Sequence, residues 1–141
     1  MSKTFKGKYV LQNPQKYVGQ NQPIYRSSWE QAFMNHLDRH PNVVAWASES
    51  IKIPYKNPFT GKNTIYVPDF YIIYVDKLGR KHAEVIEIKP SKETFMEKAK
   101  SKKDQYSVAL NTIKWQAAKL WCERKGINFR VLTEEQIFGK R

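Results

Sequence analysis

Two short polar interruptions of strand-like runs constrain this chain more than any other feature: Val67-Pro68-Asp69 and, after an intervening turn, Glu87-Ile88-Lys89. Asp69 follows the alternating run Thr64-Ile65-Tyr66-Val67. Glu87 and Lys89 lie within Ala83-Glu84-Val85-Ile86-Glu87-Ile88-Lys89, where a side-chain period of two puts them on one face. Two carboxylates and an ammonium thus stand at the ends of two successive strands. A carboxylate amid largely apolar strand residues needs a partner, and a metal between the two would be one. Paired carboxylates give the hard oxygen ligands that Mg²⁺ takes while leaving it positions for water and a phosphate, and a nearby ammonium can hold the attacking water or a phosphoryl oxygen. The pattern points to phosphodiester hydrolysis.

Charge agrees with that chemistry. Among 141 residues, Lys and Arg number 25 against 13 Asp and Glu, a formal net charge of +12, so a polyanion, nucleic acid first, is the expected partner. The length suits one domain with a real core. One cysteine, Cys122, leaves no intrachain disulfide and no zinc cluster. Beside Trp121 on the inner side of a predicted helix it reads as buried filler. No apolar run reaches bilayer length and none follows the basic N-terminus as a signal peptide would, so a soluble protein without membrane association is expected.

Residues 1–25 are polar, basic and tyrosine-bearing, broken by Pro14, Gly19 and Pro23, and read as an extended basic arm ahead of a domain spanning 26–141. Ser27-Ser28-Trp29-Glu30 opens a helix with Trp29, Phe33 and Leu37 at a spacing of four, ending near His40-Pro41. Val43–Trp46 and Ile51–Tyr55 read as short strands. The turn-rich Asn57–Asn63 suggests a hairpin with the run that follows. The strand ending in Phe70–Tyr74 meets a turn at Asp76–Gly79, and the Glu87 strand follows and closes at Pro90. After the basic segment Lys92–Lys103 comes a long helix carrying Val108, Trp115, Ala118 and Trp121, stopping at Gly126. A last strand, Asn128–Leu132, leads to a capping box at Thr133–Gln136. The expected fold class is α/β, with a mixed central β-sheet flanked by helices.

Glu30 on the first helix, Pro68-Asp69, then Glu87-Ile88-Lys89, in the element order α, β, β, β, α, β, resembles the PD-(D/E)XK, or restriction-endonuclease-like, nucleases. Tyr25–Glu30, Pro41–Val44, Ile53-Pro54-Tyr55 and Val67-Pro68-Asp69 are similar to the endonuclease subunit of cut-and-paste transposons. Lys6–Tyr9, Asn13–Gly19 and Trp46–Glu49 bring the chain closer still to the head-completion proteins of contractile-tailed phages. The bare motif recurs by chance, but joined to Glu30 and the arm it is specific.

The resemblance implies a restriction-endonuclease-like core and a Mg²⁺-dependent DNA endonuclease, with Mn²⁺ as a substitute, that acts with little sequence preference during phage head completion and DNA packaging. It makes Asp69 the central metal ligand and Glu87 the second, adds the Ile88 backbone carbonyl as a third oxygen, and assigns Lys89 to orienting water and offsetting transition-state charge. Glu30 would help to hold metal directly or through water. By the same resemblance the partners are DNA and phage head or neck proteins, with a homodimer an open state, and the setting is the host cytoplasm or the virion. A non-catalytic structural head protein and a junction-resolvase or transposon-type nuclease are the alternatives.

Ordinary explanations stand beside these roles. Glu30, three residues after Ser27, completes a capping box, and such glutamates are commonly structural; both roles hold together only if Glu30 points inward. Glu84 lies on the face opposite Glu87. His36, His40 and His82 lack metal-ligand spacing, and Glu49 and Asp76 read as structural and turn residues. Lys92, Lys98, Lys100, Lys102 and Lys103, with Arg26, would flank a phosphate path. The arm, with Lys3, Lys6, Lys8 and Lys16 among Tyr9, Tyr17 and Tyr25, suits phosphate contact and base stacking, or docking on its own domain over a sheet edge.

Overall fold

The computed structural model describes residues 6–91, 94–95 and 98–138. Lys3 and Lys92 lie outside them. Eight strands and three α-helices follow in order: β1 (Gly7–Lys8), β2 (Ile24–Tyr25), α1 (Ser28–Arg39), β3 (Val43–Ser48), β4 (Ile53–Lys56), β5 (Asn63–Tyr66), β6 (Phe70–Val75), β7 (Lys81–Ile88), α2 (Lys102–Arg124), β8 (Asn128–Leu132) and α3 (Glu134–Phe138). The central sheet runs β3-β6-β7-β8 and is mixed: β3, β6 and β7 are antiparallel neighbours, and β8 joins β7 in parallel after the α2 crossover.

Alternation sorts the two faces. Phe70, Ile72, Ile86, Ile88 and Leu132 point to one side, where they pack with Met34 and Leu37 of α1 and with Trp46. Their neighbours in sequence point to the other side, where Ile53 and Tyr66 of the β4–β5 hairpin enclose Ala118 of α2 with Trp115, Trp121 and Phe129. Strand β7 is central and covered on both faces, so its residues Glu84 to Ile88 are buried in succession. Burial pushes the Cys122 thiol up to about 11, in keeping with a buried filler. Gly126, at φ +70°, takes the left-handed position just past α2 that a side chain disfavours.

One expectation changes. Pro68 and Asp69 are not inside a strand; they form the link between β5, in its own two-stranded sheet, and β6 in the central sheet. Pro68 has no N–H for a ladder, so the chain leaves one sheet there and enters the next.

Of the two readings of the arm, the described residues 6–25 follow the second and lie against the domain. Strand β1 pairs with β2, Tyr9 and Tyr17 meet Trp46 edge-on at ring distances of 6.1 and 4.8 Å, and Val18 N–H donates to the Trp46 carbonyl on the outer edge of β3. These tyrosines are therefore committed to packing, and the segment covers an edge strand. Lys16 is committed too, donating to the Asp38 and His40 carbonyls at the end of α1. Among the described residues, no helix is long and apolar enough to cross a membrane.

Candidate active site

Each acidic group of the motif is oriented by the other's backbone. The Asp69 N–H donates to Glu87 Oε1 at 3.2 Å, and the Ile88 N–H donates to Asp69 Oδ2 at 2.8 Å. This reciprocal lock spans the end of the β6–β7 ladder, whose last pair is Phe70 with Ile86. It leaves Asp69 Oδ1 and Glu87 Oε2 without an amide donor among the described residues. Lys89 Nζ stands 3.9 Å from Glu87 Oε2, an ion pair too long for a hydrogen bond.

Burial, then the neighbouring Glu87 and Glu30 charges, hold the Asp69 carboxyl well above the usual range. Burial likewise raises Glu87, against the pull of Lys89, the Asp69 amide and Lys114. Two acids crowded together with too little positive charge make a cation-seeking site.

The position of Glu30 is compatible with both roles that the sequence left open. Ser27 Oγ accepts the Glu30 N–H at 3.1 Å as an N-cap, while Glu30 Oε1 accepts the Arg26 N–H at 3.1 Å, one residue before the usual capping-box position. The side chain points inward, near enough to Asp69 and Lys89 to feel their charges, and burial raises its carboxyl.

Arg26, expected on a phosphate path, is held instead by Glu49, its Nε and Nη2 both 3.1 Å from the Glu49 carboxylate. Glu49 takes a left-handed backbone, φ +50°, and its N–H donates to the Asp69 carbonyl at 2.9 Å. Its role is structural, as expected, but it acts directly on the site: it fixes the Asp69 backbone and pins Arg26 beside Glu30.

Of the other expected DNA contacts, Lys98 pairs with Glu135 at 3.4 Å. Lys100, Lys102 and Lys103 are exposed, the last two in the first turn of α2. Glu84, on the opposite face as expected, is buried and tied to Arg130 at 3.0 Å and Tyr74 at 3.1 Å. His82 pairs with Asp76 at 2.7 Å, so it is not a free surface histidine.

Two further residues border the site. Tyr66 is buried beside Glu87, its hydroxyl near that carboxylate yet short of a well-formed hydrogen bond among the described residues. Burial and then the Glu87 charge push its pKa up. Lys114 of α2 reaches over the Tyr66 ring, Nζ 5.8 Å from its centroid, and burial and the like charge of Lys89 lower its pKa. A signal for Lys114 existed: Asn111, Trp115 and Ala118 mark the inner face of α2, and Lys114 falls among them at helical spacing.

The donors fit a hard divalent cation. They are carboxylate oxygens with spare lone pairs, next to the Ile88 backbone, where the buried acids lack charge balance. Among the described residues no three His, Cys, Asp or Glu side chains converge as a ligand cluster; Asp69 and Glu87 are the two carboxylates that the motif brings together.

Comparison with known proteins agrees. Residues 40–134 match the family described as TnsA-like endonuclease N terminal. The sequence is also 38% identical to the head completion nuclease of Enterobacteria phage T4, over 94% of this chain and 93% of that protein.

Proposed function

The chain belongs to the TnsA-like endonuclease family, with its restriction-endonuclease-like fold, and from that premise we propose that it is a Mg²⁺-dependent DNA endonuclease acting as a phage head is completed. The observation that carries this reading is the reciprocal lock of Asp69 and Glu87, Glu87 held by the Asp69 amide and Asp69 by the Ile88 amide, with Lys89 beside them. Asp69, Glu87 and the Ile88 carbonyl would hold the cation, with Glu30 completing its surroundings. When bound, Mg²⁺ stabilises charge on the phosphoryl oxygens and makes water acidic enough to attack at neutral pH.

The remaining work belongs to the protein. Lys89 keeps a positive charge where the pentacovalent phosphorus gathers negative charge, and Lys114 adds a second on the α2 side. The Asp69 and Ile88 amides fix the carboxylates before substrate arrives, so little reorganisation remains in the reaction. Tyr66 and Trp115 close the inner wall against bulk water. The exposed Lys100, Lys102 and Lys103 contact phosphates without reading bases, which suits cleavage with weak sequence preference.

Supercoiled plasmid, a branched junction and linear duplex, each incubated with the protein in Mg²⁺, Mn²⁺, Ca²⁺ or chelator, test the proposal. Cleavage is expected with Mg²⁺ or Mn²⁺. Ca²⁺, with looser coordination, is expected to support binding without cutting. Cleavage in chelator would overturn it.

A further inference from the structure

The seam where the β4–β5 hairpin lies on α2 begins at the site and ends in a pair of unburied aromatic rings. Phe59, in the turn at the hairpin tip, is 52% exposed, and Tyr106, near the start of α2, is 46% exposed. Their ring centroids are 5.0 Å apart at an interplanar angle of 50°. Each residue is therefore about half exposed while its ring packs against the other.

The charge around them is positive and uncommitted. Lys102 and Lys103 precede Tyr106 by four and three residues and share its helix face, whereas Asp104 is turned about 200° away from it. Lys56 and Lys62 are exposed on the hairpin. None of these four lysines is in an ion pair among the described residues, unlike Lys98, which Glu135 holds.

We propose that Phe59 and Tyr106 form a stacking platform for an unpaired DNA strand, with Lys56, Lys62, Lys102 and Lys103 holding its phosphates. This deepens the nuclease reading and rests on it. Bases within a duplex have their faces covered, so fixed, half-exposed rings gain little from intact duplex. A strand end, gap or frayed junction offers free base faces, and every base has one. The lysines supply the matching charge for a polyanion.

The platform is continuous with the site. At the other end of the same hairpin Ile53 pairs with Tyr66, which lies beside Glu87 and under Lys114. Tyr106 and Lys114 are separated by eight residues of helix, about 12 Å along its axis, a distance that a few nucleotides of unpaired strand span. The strand held by the platform would therefore enter the site a few nucleotides from the scissile phosphate.

Binding by fluorescence anisotropy in chelator tests this apart from catalysis, using the full chain and a duplex that is blunt or carries a single-stranded extension of two or six nucleotides. Wild type is expected to bind the six-nucleotide form about tenfold tighter than the blunt one, with most of that advantage gone at two nucleotides. Phe59→Leu with Tyr106→Leu keeps apolar bulk between hairpin and helix but removes both rings. It should lose the tenfold preference while binding blunt duplex as before, with an unchanged melting temperature. Phe59→Trp preserves a ring and should keep the preference, with added fluorescence quenched on binding.

Equal affinity of wild type for blunt and extended duplex, or an undiminished preference in the double leucine variant, would overturn the platform. If the double leucine variant fails to fold, absence of quenching in Phe59→Trp overturns it instead. Failure of wild type to cut any DNA with Mg²⁺ would overturn the nuclease reading and leave these binding outcomes to be judged separately.

Discussion

This domain buries acidic groups in two places and treats them oppositely. Asp38 on α1 is fully buried, yet its carboxylate accepts from the Tyr9 hydroxyl at 2.8 Å, the Gln12 N–H at 2.7 Å and the Asn13 N–H at 3.0 Å. Burial pushes this carboxyl up, but those donors and the charge of Lys16 outweigh it and hold it below the usual range. Asp69 and Glu87 have one backbone amide each and one another for company, and both are raised. Burial alone therefore does not decide whether a carboxylate stabilises the fold. The number of donors brought to it does. Asp38 fastens residues 9–16 to α1, whereas the Asp69–Glu87 pair is left with oxygens that no amide among the described residues satisfies, the feature on which the proposed cation site rests.

The largest expected effect tests the second half of that contrast. Asp69→Asn or Glu87→Gln should reduce plasmid cleavage by about 10³-fold or more, since a lost ligand carboxylate removes several kcal/mol of transition-state stabilisation. The same variants should melt no lower than wild type in chelator, because each relieves a buried like-charge contact. A drop in melting temperature with either would break the contrast, and near wild-type cleavage would remove the site assignment.

Asp38→Asn should do the reverse. Weakening a charged acceptor shared by three donors costs about 2–4 kcal/mol, a fall in melting temperature of roughly 5–15 °C. Cleavage well below that temperature should stay close to wild type.

The pH dependence sharpens the same point. The stability from Asp38, whose folded pKa is lowered, is present above the ordinary carboxylate range of about 3.9 and is lost as pH falls through its lower folded value. Asp69 and Glu87, raised on folding, destabilise increasingly as pH climbs from that ordinary range through their folded values. The stability gained by Asp69→Asn should thus be largest near neutral pH and vanish toward pH of about 4, while the deficit of Asp38→Asn persists there. Thermal melts of the three proteins in chelator across this range would check both signs.

The smallest effect is expected at Glu30, which stands between the two regimes. Glutamine can still accept the Arg26 N–H, and the Ser27 cap involves only the backbone of residue 30. Glu30→Gln should therefore shift the melting temperature by no more than a degree or two. It should lower cleavage about tenfold, because it removes a negative charge facing Asp69. Unchanged cleavage would leave Glu30 as a capping residue alone.

Much of this was legible in local pattern. The alternation of β6 and β7, the Ser27 and Thr133 caps and the Gly126 stop depend on neighbours within a few residues, so reading the chain in order recovers the elements and the shared face of Glu87 and Lys89. The candidate pair was visible because a carboxylate such as Glu87 in an apolar strand is conspicuous by itself. Asp38 was not, since an acid on a surface-like helix position looks ordinary until Tyr9, Gln12 and Asn13 fold back on it from more than 20 residues away. For the same reason the tyrosines of residues 6–25 looked available to bases until Trp46 claimed Tyr9 and Tyr17.

The sequence by itself determined which chemical groups lie on which strand faces, and hence the family and the carboxylate pair, because backbone period and residue type are local. Only the tertiary structure decided which charges are satisfied and which are left wanting. It put Lys114 and Tyr66 against Glu87, turned Arg26 to Glu49, and gave Asp38 its donors. A buried group's charge state depends on what distant segments deliver within about 4 Å of it, and no periodicity encodes that.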